Sequence, residues 1–149
     1  MGMYAALGIS ATGLAAERLR MDVIANNLAN ADSTTGVGTA YHRKAVTMAP
    51  APGGVQFALP RPAGIESTPG NADMHGVAVT GIVEDSSPLR KVYMPGHPQA
   101  DAKGYVTKPN VDAVVEMTDM VAATRAFQAN VTAFEATKSM AKDALRIIS

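Results

Sequence analysis

The side chains best suited to chemistry are three histidines, His42, His75 and His97, and one adjacent carboxylate pair, Glu84-Asp85. A histidine works as a metal ligand or general base when a second ligand or a nucleophile stands at a fixed spacing. These three are scattered through loop and strand, with no close second histidine and no nucleophile at a recognisable spacing. Adjacent side chains at a strand end point to opposite sides, so Glu84 and Asp85 read as a strand edge and turn rather than as an acid/base pair. Asp101-Ala102-Lys103-Gly104 faintly resembles a calcium loop, but it lacks the repeated acidic ligands and the closing glutamate, and a turn fits it better. Gly53-Gly54 lies among prolines instead of between a strand and a helix, so it does not form a phosphate-binding loop. Met21, Met117 and Met120 suit adaptable packing rather than a cofactor box. The expectation is a chain with no catalytic, cofactor or metal site, and therefore not an enzyme.

Composition narrows the classes further. There is no cysteine, which removes disulfides and thiolate metal sites. Thirteen basic residues balance thirteen acidic ones, so the chain lacks the positive field of a nucleic-acid or anionic-lipid binder. No stretch reaches the roughly 18 to 20 apolar residues of a membrane span. From Met1 to Leu14 the apolar run is broken by Gly2, Gly8, Ser10, Thr12 and Gly13 and has no basic leader, so a cleaved signal peptide is not expected. With 149 residues, the length suits one domain with a modest core.

The elements that must position these residues are marked out by proline and glycine. All nine prolines fall between Pro50 and Pro109. Asn110 to Ser149 and Leu14 to Thr35 contain neither residue, and these are the places where long helices can run. The C-terminal stretch carries an apolar seam with alternating spacings of three and four: Ala113, Met117, Met120, Thr124, Phe127, Val131, Phe134, Lys138, Ala141, Leu145, Ile148. Such spacing predicts a helix over 112–148 that packs lengthwise on other helices. Pro109, Asn110 and Asp112 supply its start signal. Leu7, Leu14, Met21 and Leu28 repeat the pattern at the N-terminus, supported by Ala11, Ile24 and Ala25, and predict a helix over 4–30. Gly8 and Gly13 should weaken that helix by roughly 1 kcal/mol each relative to alanine.

Between the helices, Tyr41 to Met48 and Val77 to Glu84 have the content of strands, and Arg90 to Met94 is expected to pair with the second across the turn at Asp85 to Pro88. Pro50 to Gly76 reads as an extended or mobile surface loop. The fold class is thus mainly α with a small β insert. Segments 1–32 and 110–149 form one α-helical domain as a coiled-coil-like pair or bundle, and 33–109 is an insert of short strands and loops.

Two helices cannot cover both seams, and at roughly 1.5 to 3 kcal/mol for each large side chain that could be buried the uncovered flanks favour association. The candidate assembly interface is Leu7, Leu14, Met21, Ile24, Asn26, Asn27, Leu28 and Asn30 on the first helix, with Met117, Met120, Phe127, Val131, Phe134, Leu145 and Ile148 on the second. The three asparagines allow two readings. They mark a frayed helix end, or their amides are buried and fix the register between packed helices.

Two terminal segments carry a resemblance. Ile9-Ser10-Ala11-Thr12-Gly13-Leu14 followed by Arg18-Leu19-Arg20-Met21-Asp22-Val23-Ile24-Ala25-Asn26-Asn27-Leu28-Ala29-Asn30-Ala31-Asp32 is one. Pro109-Asn110-Val111-Asp112 with Glu116-Met117, Asp119-Met120 and Ala123-Thr124-Arg125 is the other. Both resemble the flagellar basal-body rod and hook family. Gly81-Ile82-Val83-Glu84-Asp85-Ser86-Ser87-Pro88 and Tyr93-Met94-Pro95-Gly96-His97-Pro98 resemble its proximal rod members in particular, whereas Ala40 to Asp73 matches least. The resemblance implies a structural subunit of the periplasmic rod, the drive shaft that carries torque from the rotor to the hook. It also implies export by the flagellar type III apparatus without cleavage. Implied partners are further copies of the chain, other rod proteins and the basal-body protein joining rod to membrane ring. Two other readings compete: a helical adaptor that captures one partner helix, and an exported peptidoglycan hydrolase, which would need an acid/base pair that the sequence does not offer.

Overall fold

The computed structural model describes residues 3–34, 40–51 and 75–148, with side chains described from 6 to 146 within them. The two terminal stretches form helices α1 (Met3–Ala29) and α2 (Ala113–Ile148). At 1.5 Å per residue α2 runs roughly 54 Å. Asp112 caps it: its carboxylate accepts from the Val114 amide at 2.9 Å, and its carbonyl accepts from the Glu116 amide at 3.0 Å. The other end of α1 closes on Asn30, whose backbone and side-chain amides both donate to the Asn26 carbonyl.

The helices lie antiparallel. Asn27 bonds to Glu116, Met21 meets Thr124, and Gly13 faces Asn130, so the α2 position climbs as the α1 position falls. Gly13 is buried, and a Cβ there would come within 3.1 Å of the Asn130 amide, so its missing side chain lets the helices approach closely. Gly8 has open space around it.

Among the described residues four strands make two antiparallel pairs. β1 (Lys44–Pro50) pairs with β2 (Val77–Glu84), from Lys44 opposite Glu84 to Pro50 opposite Val77. A bulge falls after Thr47, where the Thr80 hydroxyl donates to the Thr47 carbonyl at 3.1 Å. β3 (Arg90–Tyr93) pairs with β4 (Tyr105–Lys108). This corrects the expected pairing of Arg90–Met94 with Val77–Glu84. The segment after β2 is held away because the Asp85 and Ser87 carbonyls both accept from the Asn110 amide. The reversal comes later: the Asp101 carboxylate accepts from the amides of Lys103 and Tyr105, and Gly104 takes φ 79°. Asp101–Gly104 is therefore a hairpin turn. The surface loop expected over Pro50–Gly76 lies outside the described residues from 52 to 74.

α1 is packed by α2 and by the first strand pair. The Thr12 hydroxyl accepts from the Val77 amide at 3.1 Å, and Arg20 reaches the Met48 sulfur at 3.7 Å. Ala16, Val23, Ile24, Ala40, Val106, Val111 and Ala123 make the small buried core.

Candidate functional site

The most enclosed chemistry in the described chain is polar and joins three elements. Asn27 and Glu116 are each 0% exposed. The Asn27 amide nitrogen donates to Glu116 Oε2 at 3.0 Å and to the Lys44 carbonyl at 2.8 Å. Its oxygen accepts from the Tyr41 hydroxyl at 2.7 Å and the Lys44 amide at 2.9 Å. All four hydrogen-bonding positions of one buried amide are thus filled. The other Glu116 oxygen accepts from Arg43 Nε at 2.6 Å, and the Arg43 guanidinium also reaches Asp119 at 3.2 Å. Arg43's backbone amide donates to Asn110 at 2.7 Å.

This clasp is complete, which matters because a buried charge costs several kcal/mol unless it is paired and bonded. No buried side-chain nitrogen or oxygen among the described residues lacks a partner. The hydrogen bond from Arg43 to Glu116 raises the guanidinium pKa above its ordinary value, so the cation persists at any working pH. Burial, then the charges of Glu116 and Glu84, raises that of the Tyr41 phenol, which keeps the proton it donates. The clasp fixes where α1, α2 and the start of β1 meet, and it is built to hold position.

The asparagine cluster splits between its two readings. Asn27 is the buried register amide. Asn30 terminates the helix, and Asn26 is exposed, its side-chain oxygen 2.8 Å from the same Tyr41 hydroxyl, whose one proton is shared with Asn27.

Among the other candidate interface residues, Ile24 is buried, and Leu7, Leu14, Met21 and Leu28 are half-buried. On α2, Met120, Phe127, Val131 and Phe134 are half-buried; Met117 and Leu145 are exposed at 50% and 68%. The side chain of Ile148 lies outside those described. At four places the fully covered position falls one residue before the apolar repeat, at Gly13 and Asn27 instead of Leu14 and Leu28 and at Glu116 and Ala123 instead of Met117 and Thr124, while Ile24 is buried where the repeat puts it. An apolar edge is left open on α2, with Val114, Met117 and Val121 all exposed and spaced by three and four. Leu14, Ala15, Arg18, Leu19, Asp22 and Phe127 line a separate open groove on the helix pair. Reading for apolar residues missed Glu116 and Arg43. The signal that could have found them is a glutamate one residue before a seam position, with an arginine and asparagines elsewhere to satisfy it.

The histidines stay apart. His42 Nδ1 lies 3.2 Å from the Asp85 carbonyl, His75 Nδ1 lies 2.8 Å from that of Ala51, and His97 accepts from the Gln99 amide. Glu84 turns toward Lys44 at 3.9 Å while Asp85 takes the Ser87 amide and hydroxyl, so the two carboxylates face different partners.

Terminal helices clasped around a small strand insert are also where the chain matches known proteins. The family model described as flagella basal body rod protein matches residues 7–36, which include Asn27. That described as flagellar basal body rod FlgEFG protein C-terminal matches residues 102–147, which include Glu116. The flagellar basal-body rod protein FlgC of Borreliella burgdorferi is 41% identical over 99% of both chains. The chain belongs to the flagellar basal-body rod proteins. Rod protein FlgC of Bacillus subtilis is 43% identical over 99% of both chains, and that of Salmonella typhimurium 39% identical over 94% of this chain and 93% of its own. The likeness to these rod proteins therefore extends through the insert as well as the helices. No described helix is long and apolar enough to cross a membrane.

Proposed function

We propose that this rod protein is a structural, non-enzymatic subunit of the proximal rod, and that it enters the rod through its terminal helices. The observation that carries this reading is the edge left open after the chain has folded. Val114, Met117 and Val121 stand exposed on one side of α2, and Met140 and Leu145 are exposed near its far end at 63% and 68%. A helix pair that were a finished product would turn such side chains inward, since each is worth roughly 1.5 to 3 kcal/mol on burial. Neighbouring rod and basal-body proteins are the surfaces that cover them, with further copies of this chain among them.

Torque then passes through lengthwise helix contacts whose slippage would expose apolar side chains. The clasp ties the strand insert to that helix pair, so the insert turns with the shaft. The rod lies in the periplasm, and the chain reaches it uncleaved through the flagellar type III export apparatus. The domain division follows the same logic: 1–32 with 110–149 makes the helical assembly unit, and 33–109 is the insert carried on it.

Because the chain has no cysteine, a single cysteine placed at Ser139, an exposed position, gives one label. Expressed in a strain lacking the native gene, the labelled chain should restore swimming and co-purify with basal bodies. Restored swimming with the label absent from basal bodies would refute the assignment.

A further inference from the structure

Both helices carry an apolar repeat, yet the most enclosed contact between them is polar: Asn27 and Glu116 are each 0% exposed, with Ala16, Val23, Ile24 and Ala123 buried on the same helix pair. The apolar repeat runs through Leu14, Met21 and Leu28 on α1 and through Met117, Thr124 and Val131 on α2. The structure instead opposes Gly13 to Asn130 and Asn27 to Glu116, with Ala123 1% exposed and Met117 50% exposed. Moving one of the two rows in a seam back by a residue rolls the packed face by roughly 50°. A pair choosing by apolar burial alone would turn Met117 inward and Glu116 outward.

We infer that the buried clasp of Asn27, Arg43 and Glu116, and not the apolar seam, selects the roll of the α1–α2 pair. Asn27 lies on α1, Glu116 on α2, and Arg43 one residue before β1. Asn27 fills its four bonding positions, and Glu116 its two oxygens, in this roll. Turning Glu116 outward breaks its bonds to Asn27 and Arg43 and leaves the buried Asn27 amide short of a partner. A polar group in a helix seam specifies register through this penalty. Gly13 gives way to the choice, since its missing Cβ lets Asn130 sit 3.1 Å from where that atom would be. The consequence for assembly rests on the function proposed above: the selected roll keeps Met117 and Val121 outside for a neighbour.

Paired cysteines in the full-length, otherwise cysteine-free chain test the roll without reference to assembly. One pair, Gly13→Cys with Asn130→Cys, reports the observed roll; the other, Leu14→Cys with Val131→Cys, reports the apolar one. In the native background the first pair should form its disulfide at least tenfold faster than the second. With Asn27→Leu, Arg43→Met and Glu116→Leu together, which remove every buried charge at once, the order should reverse. Glu116→Gln alone, which keeps the shape and an acceptor for Arg43, should retain the native order. An unchanged order in the triple variant overturns the inference, and so does the absence of the first disulfide in the native background.

Discussion

Asn27 on α1 and Glu116 on α2, 89 positions apart in the chain, are joined by a 3.0 Å hydrogen bond with neither residue open to solvent. Glu116→Ala leaves Arg43 and the Asn27 amide facing a gap, and should cost about 3 kcal/mol. Asn27→Ala strands the Lys44 amide and carbonyl as well, and should cost about 2 to 3 kcal/mol. Urea unfolding of the two variants and of their double mutant measures both. The double should cost clearly less than the two added, because each residue's loss already removes the shared bond.

That bond also marks where sequence reading stopped. Both helices were legible to within a residue, because every proline lies in the middle and apolar spacing persists outside it. The strand Val77–Glu84 was legible from its β-branched alternation. The strand Tyr105–Lys108 was not: four residues carry too little periodicity, and it forms because the Asp101–Gly104 turn and the edge of β3 support it. Ile24 is buried where the seam puts it, but beside Leu14, Leu28, Met117 and Thr124 the covered residue is the one before. Apolar periodicity ranks Met117 above Glu116, whereas Glu116 is covered with a polar network whose members are spread across the chain.

The two glycines of α1 should behave oppositely. Gly13→Val forces the helices apart at Asn130 and should destabilise by about 1 to 3 kcal/mol. Gly8→Ala meets nothing within 4 Å and should stabilise by up to about 1 kcal/mol. Thermal melts of the two variants give both signs.

Phe127 and Phe134 are half-buried in the isolated chain. Phe127→Ala should therefore cost about 1 to 2 kcal/mol in urea, below the roughly 3 to 5 of a fully enclosed phenylalanine. A loss in the full range would mean that the helix pair already covers this side chain.

Hydrogen bonds from the Ser87 hydroxyl and amide lower the pKa of Asp85 below the ordinary carboxylate value. A carboxylate depressed in the folded state contributes stability above its unfolded pKa, and that contribution is lost as pH falls through the folded one. Ser87→Ala should move the Asp85 titration, followed by carboxyl NMR shifts, back upward toward the ordinary value. It should also remove the share of acid destabilisation that Asp85 contributes, because its folded and unfolded values then come together.

The open edge of α2 is tested most directly by Met117→Asp combined with Val121→Asp. Both side chains are about half exposed, at 50% and 51%, so the purified variant should fold and melt within about 1 kcal/mol of the native chain. In a strain relying on it for swimming, the variant should be missing from isolated basal bodies and the cells should not swim. Basal bodies that contain the variant at native amounts in swimming cells would contradict the account.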